Sequence, residues 1–128
     1  MRILAVDDDP IILDLLTVAL STFGYDDIVT AQNGAEAIEI LQSDQGLFDT
    51  LLYDIQMPVM DGIELVYRTR ALLRYSDVPI LMLTAMSEKT YIDRAFLAGA
   101  TDYITKPFDT MELQARLKVS DVSTNGTV

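Results

Sequence analysis

The chain contains no cysteine and no histidine, and only nine lysines and arginines stand against twenty aspartates and glutamates. Without cysteine there is neither a disulfide framework nor a thiolate metal site, and without histidine there is neither an imidazole base nor an imidazole ligand. A hard cation held by oxygen atoms is the metal that remains plausible. The formal net charge is −11 and no lysine/arginine cluster exists. Phosphate binding needs a concentrated positive surface, so the chain is not expected to grip nucleic acid by itself, and any DNA-binding activity would have to come from another domain. No apolar run approaches the roughly 18 residues of a membrane span. The N-terminus enters a strand without a charged leader or an apolar signal core, so the expected compartment is the cytoplasm. Half of the 128 residues are hydrophobic, enough to fill one core in one domain of ordinary size.

Apolar runs of strand length occur at 2–6, 28–31, 50–53, 80–83 and about 101–104. They alternate with segments of helical period, the pattern of βα units wound into a parallel sheet. In the first helix Asp9 can cap, Pro10 suits the first turn, and Ile12, Leu15, Leu16, Ala19, Leu20 and Phe23 make the inward face before Gly24 stops it. The second, from about Asn33 to Ser43, turns Ala37, Ile38 and Leu41 inward. Gly62 opens the third, with Leu65, Val66, Thr69, Leu72 and Leu73 on one face and Ser76-Asp77 at its end. The fourth, from near Ser87 to Gly99, has a thin stripe of Ile92, Ala95 and Phe96, and a helix with so little to bury should be loosely held. Asp109 and Glu112 resemble a capping box for the fifth, which packs through Leu113 and Leu117. Residues 120–128 have no period and several turn formers, so they read as a flexible tail or the start of a linker.

Two acidic clusters punctuate this pattern. Asp7, Asp8 and Asp9 close the first strand, and Asp54 ends the third before a loop that carries Pro58 and Gly62. The carboxyl ends of strands in a parallel sheet converge on one crevice. Carboxylates crowded there repel one another and call for a cation between them. Each cluster alone reads equally well as solvated caps and turn formers. Lys106-Pro107 alone would be a surface turn, Thr84 a β-branched strand residue and Tyr103 an aromatic on a half-buried face. All of them together, at the ends of successive strands, point to a cation site around a reactive aspartate.

The run Val6-Asp7-Asp8-Asp9-Pro10, the loop from Asp54 to Gly62, Leu83-Thr84-Ala85, Gly99-Ala100 and Tyr103-Ile104-Thr105-Lys106-Pro107-Phe108 stand in a familiar order and spacing. Over residues 1–119 the chain resembles a response-regulator receiver domain. The resemblance implies one α/β domain of flavodoxin-like (βα)5 topology, a doubly wound parallel sheet of order 2-1-3-4-5. It implies that Asp54 accepts a phosphoryl group from the phosphohistidine of a sensor histidine kinase or phosphotransfer protein in the bacterial cytoplasm. The reaction is expected to depend on Mg²⁺, with Mn²⁺ as a substitute. Such a domain is not an enzyme toward other substrates, because it catalyses only its own phosphorylation and dephosphorylation.

The same resemblance makes Asp8 and Asp54 direct metal ligands, Asp7 a ligand mostly through ordered water, and the backbone carbonyl of Gln56 a further ligand. Magnesium keeps several waters in an octahedron of oxygens, which such a set suits. Asp9 is left as the helix cap. Lys106 is expected to pair with Asp54 and later with a phosphoryl oxygen, its bond to Pro107 in cis. Thr84 would donate its hydroxyl to the phosphoryl group and Ala85 a backbone N–H, and Tyr103 would turn inward as Thr84 moves. Gln56 and Met86 are expected to set the lifetime of the phosphorylated state. Arg94, Asp102, Glu112 and Arg116 resemble part of the charged set through which receivers of the winged-helix transcription-factor class form homodimers; solvated surface charge is the alternative.

Two rivals belong to other classes. A haloacid-dehalogenase-like phosphatase also uses an aspartyl phosphate, and Asp7-Asp8-Asp9 has its D-x-D spacing, but Ile11 stands where such enzymes carry threonine and the chain has no room for a cap domain. A flavodoxin-like electron carrier shares the sheet order, yet the first strand-to-helix loop is acidic where an FMN phosphate needs a neutral cradle.

Overall fold

The computed structural model describes residues 1–43, 46–85 and 89–124, with side chains as far as Ser120. Strands β1 (Arg2–Val6), β2 (Asp27–Ala31), β3 (Thr50–Tyr53), β4 (Ile80–Thr84) and β5 (Asp102–Thr105) alternate with helices α1 (Pro10–Thr22), α2 (Gly34–Gln42), α3 (Gly62–Ala71), α4 (Lys89–Ala98) and α5 (Thr110–Thr124). Every pairing is parallel and the order is β2-β1-β3-β4-β5, as the family resemblance implies. The chain direction across the sheet reverses between β1 and β3, and their carboxyl ends open a crevice at that switch point.

The central strands β1, β3 and β4 are mostly apolar because they are buried on both faces, whereas the edge strands β2 and β5 also carry Asp27, Thr30, Asp102 and Thr105. Leu4, Val6, Leu51, Tyr53, Ile80 and Met82 point into one core, which α2, α3 and α4 cover with Ala37, Leu41, Leu65, Val66 and Ala95. Ile3, Ala5, Leu52, Leu81, Leu83 and Ile104 point into the other, which α1 and α5 cover with Leu13, Leu16, Leu20, Leu113 and Leu117. Helix starts are held by side-chain caps that satisfy orphan N–H groups. Asp9 accepts from the Ile11 N–H, Asn33 from Glu36 and Asp61 from Glu64. Asp109 caps α5 by accepting from Met111 at 2.8 Å, whereas the Glu112 carboxylate faces Arg116 at 3.7 Å.

The packing departs from the sequence pattern at four places. In α1 Leu13 is buried and Leu15 is 53 % exposed. Ile11 through Leu20 is so uniformly apolar that two stripes fit the helical period, and docking on the sheet selects the one through Leu13, Leu16 and Leu20. Leu73 lies outside the core because α3 stops at Ala71 and a 3₁₀ turn, Leu73–Tyr75, swings it into solvent while burying Tyr75. On α4 Phe96 is half-exposed, and the small residues Ala95 and Ala98 meet the core. Helix α5 does not stop before residue 120. It continues through Thr124, and buried Ser120 extends the stripe of Leu113 and Leu117 at helical spacing, a signal that a small polar residue hides from hydrophobicity. Residues 125–128 lie outside the described residues.

The choice between the two α1 stripes has a direct measure in urea denaturation. Leu13→Ala should cost about 2–4 kcal/mol through lost transfer energy and a cavity, whereas Leu15→Ala should stay within about 0.5 kcal/mol of the parent. Equal losses would mean that α1 docks on the sheet differently.

Candidate functional site

Strand register builds the centre of the site. Val6 pairs with Tyr53, and the Asp54 N–H donates to the Val6 carbonyl at 2.9 Å, so the next residues on the two strands, Asp7 and Asp54, emerge side by side. Both are buried, while Asp8 is exposed. One carboxylate oxygen from each of the three lies within 4.8 Å of the others, the group expected from sequence to hold a metal. These are hard anionic oxygen donors, two of them in a buried setting that cannot relax their mutual repulsion. That donor set fits Mg²⁺ and does not favour a soft metal.

The two oxygens of Asp7 are engaged within the chain. Oδ1 accepts the Asp9 N–H at 2.9 Å and Oδ2 accepts from the Lys106 ammonium at 2.6 Å. Lys106 is 3.4 Å from Asp54 Oδ1, so the lysine bridges both carboxylates and sits nearer to Asp7 than to its expected partner Asp54. Burial pulls the Lys106 ammonium toward its neutral form, but the hydrogen bond to Asp7 and the charges of Asp54 and Asp7 outweigh this and raise its pKa. The pKa of Asp54 is raised as well, from its ordinary 3.8 up to about 6, first by burial and then by the charge of Asp7, against the opposing pull of Lys106. The Lys106–Pro107 peptide bond is cis, as expected.

The loop after Asp54 is shaped by Gly62. A Cβ there would collide with the Asp54 carbonyl, and the Gly62 N–H donates to Ile55 at 2.8 Å, so the loop folds back onto the strand end only because this position has no side chain. Pro58 and Val59 form its exposed tip, and Val59 holds a φ of 70°, a conformation costly for a β-branched residue. Gln56 is exposed on this loop. Sequence reading put Gly62 at the start of a helix and overlooked both its contact with Asp54 and the cap from Asp61; the spacing of Asp61 and Glu64 was the available signal.

Thr84 is fully buried at the end of β4, and its carbonyl accepts the Lys106 N–H at 2.7 Å. Met82 pairs with Tyr103, and both pack in the core beneath α2, α3 and α4. Strand alternation therefore brings Thr84 to the same face as Tyr103. Tyr103 is half-buried, its ring edge-on to Phe96 with centroids 6.1 Å apart. Ala85 is exposed beyond Thr84. Met86 lies outside the described residues. Of the charged set on the β5 side, Arg116 pairs with Asp102 at 2.9 Å and approaches Glu112 at 3.7 Å, while Arg94 lies over the Tyr91 ring.

A model of the response regulator receiver domain matches residues 3–118. The chain belongs to the response-regulator receiver family. It is 36% identical over 118 residues to a chemotaxis protein CheY homolog of Campylobacter jejuni, covering 92% of this chain and 90% of that protein. Among solved structures, the Vibrio cholerae chemotaxis protein CheY4 superposes with a TM-score of 0.86 at 34% identity over 93% of this chain and 97% of that one. The receiver domain of the Pseudomonas aeruginosa sensor histidine kinase PA1611, whose structure has a magnesium ion coordinated in the active-site cleft, does so with a TM-score of 0.83 at 30% identity over 92% of this chain and 94% of that one. The chain is thus a CheY-like receiver of two-component systems, a signalling domain outside the ordinary enzyme classes. Among the described residues no helix is long and apolar enough to cross a membrane.

The raised pKa of Asp54 fixes a pH dependence. Between about pH 4 and 6 the unfolded chain has lost this proton while the folded receiver keeps it, so raising pH through that window costs stability, and the penalty is complete above it. The stability advantage of Asp54→Asn over the metal-free parent should open across this window and reach at most about 3 kcal/mol at pH 7. If the three carboxylates hold Mg²⁺, saturating Mg²⁺ should narrow the gap by raising the unfolding temperature of the parent more than that of the variant. Chemical denaturation at several pH values checks this, and a gap that does not change with pH would remove the buried-carboxylate account.

Proposed function

We propose that this receiver accepts a phosphoryl group on Asp54 from the phosphohistidine of a sensor histidine kinase or phosphotransfer protein, in a Mg²⁺-dependent reaction in the cytoplasm. It then alters the surface formed by α4, β5 and α5 to control an output domain or partner. One observation carries the reading: a buried aspartate at a strand end, beside two further carboxylates and bridged by one lysine. A carboxylate oxygen of Asp54 attacks phosphorus, a P–O bond forms as the P–N bond breaks, and the imidazole leaves with the bonding electrons and takes up a proton. Bound Mg²⁺ would supply charge neutralisation between the attacking carboxylate and the incoming phosphoryl oxygens. Following the family resemblance, Asp8, Asp54 and the Gln56 carbonyl are the direct ligands in this reading, with Asp7 reaching the metal through water, and the contacts of Asp7 with the Asp9 N–H and Lys106 are compatible with that role.

Lys106 can exchange its distant contact with Asp54 for a phosphoryl oxygen while keeping Asp7, a short movement of one flexible point charge. The Thr84 hydroxyl and the Ala85 N–H serve the remaining oxygens, and movement of Thr84 biases Tyr103 on the same sheet face. Self-association through Arg94, Asp102, Glu112 and Arg116 would have to share or break the Asp102–Arg116 pair that the chain makes internally. The donor's docking surface is the apolar groove between α1 and the turn into α5, lined by Ile12, Leu15, Val18, Phe23 and Phe108 and reaching Lys106. Its rim residues Leu15 and Val18 are exposed, and the groove leads directly to the lysine beside Asp54.

Incubation with acetyl phosphate and Mg²⁺ should add one phosphoryl group to the parent and none to Asp54→Asn, read by intact mass. Labelling of the variant to the same extent would transfer the role to another residue. Val18→Glu should reduce transfer from a phosphohistidine donor about tenfold or more by placing a charge in the groove, and leave acetyl phosphate labelling intact. A parallel fall in both would assign the defect to the site and not to docking.

A further inference from the structure

Helix α4 is held unevenly along its length. Its C-terminal half supplies the two buried residues, Ala95 and Ala98, while in the N-terminal half Tyr91 packs against the same core only partly buried. Toward its N-terminus Tyr91 and Ile92 are half-buried, and Lys89 and Asp93 pair in solvent. Beyond Ala98 the chain is stitched to the sheet, where Thr101 donates its N–H to the Ile80 carbonyl at 2.8 Å and accepts the Ile80 N–H on its hydroxyl at 3.0 Å.

The strongest tie at that end comes from α3. Arg70 donates to the Gly99 carbonyl from Nε at 3.0 Å and from Nη2 at 2.7 Å, while Nη1 donates to Val78 at 2.6 Å and Tyr75 at 3.0 Å. All four hydrogen bonds go to backbone carbonyls, and the side chain makes no ion pair among the described residues. A guanidinium placed at the C-terminal end of α4 meets the negative end of that helix dipole, which suits a cation without a carboxylate. Its stem lies against Gly99, which adopts φ +118°; a Cβ there would approach Arg70 Cγ to 2.9 Å. One side chain thus joins the end of α3, the entry to β4 and the end of α4.

We propose that Arg70 is a positioning residue that pins the C-terminal end of α4, so that a change at Thr84 and Tyr103 moves the N-terminal end about a pivot at Gly99. The direction of motion rests on the receiver reading; the clamp itself does not. Its strength follows from charge-assisted donors to otherwise uncapped carbonyls, which only a planar fork reaches together.

The test uses the full chain and two readouts, amide hydrogen exchange without ligand and amide NMR shifts on adding beryllofluoride with Mg²⁺ as the phosphoryl mimic. In the parent, beryllofluoride should shift the amides of Lys89 to Arg94 several times more than those of Gly99 to Thr101. Arg70→Met keeps the stem and removes every donor. It should speed exchange at the Gly99 and Ala100 amides by roughly tenfold or more and spread the beryllofluoride shifts to that end, while acetyl phosphate still labels Asp54. Arg70→Lys, which carries one point charge in place of a fork, should fall between the two, and it decides the matter if the methionine variant does not fold. Exchange within about twofold of the parent in both variants, or parental shifts spread evenly along α4, overturns the pivot. If beryllofluoride moves no resonance in the parent, including those around Asp54, the receiver reading fails, and the exchange measurement still decides the clamp.

Discussion

The register of β1 against β3 brings the carboxylates of Asp7 and Asp54 out of the sheet together, and much of the molecule around them answers the repulsion that results. Neither strand end can retreat, because each is anchored by core residues on both faces. Lys106 crosses from the end of β5 to lie between them, the Asp9 N–H takes one Asp7 oxygen, and Asp54 still holds its proton up to about pH 6. An arrangement of this kind is held ready for a cation at a cost in its resting state, as expected where stability is given up for function.

The carboxylates and the lysine were legible in the sequence because they sit at strand ends, which are marked by abrupt changes from apolar to charged residues, whereas the sheet order came with the family resemblance. The helices were less transparent. Leu13 and Leu15 exchange roles because a helix apolar on most sides has no unique period, and only the sheet beneath it chooses. The α4 stripe of Ile92, Ala95 and Phe96 holds at Ala95, whereas Phe96 is half-exposed and Ala98, a small residue outside the stripe, is buried. The end of α5 was set too early because Ser120 and the residues after it weaken the apolar stripe without breaking the helix.

Two positions were beyond any reading of periodicity. Gly62 matters for the Asp54 carbonyl that lies against it, a contact between separate turns of the chain that leaves no trace in local pattern beyond the glycine itself. Arg70 is one of two basic residues in the last turn of α3, and nothing in the sequence pattern separates it from Arg68. Its carbonyl partners lie at Tyr75, Val78 and Gly99, and the last of these is 29 residues away, so its role exists only in three dimensions.

A helix fastened at one end is a lever, and its length sets the gain. The ten residues of α4 span about 15 Å at 1.5 Å per residue. Tilting such a rod by about 10° around Gly99 carries its far end through about 2.6 Å while the fastened end stays still. A displacement of atomic size at Thr84 would therefore reach the surface as a movement large enough for another protein to feel.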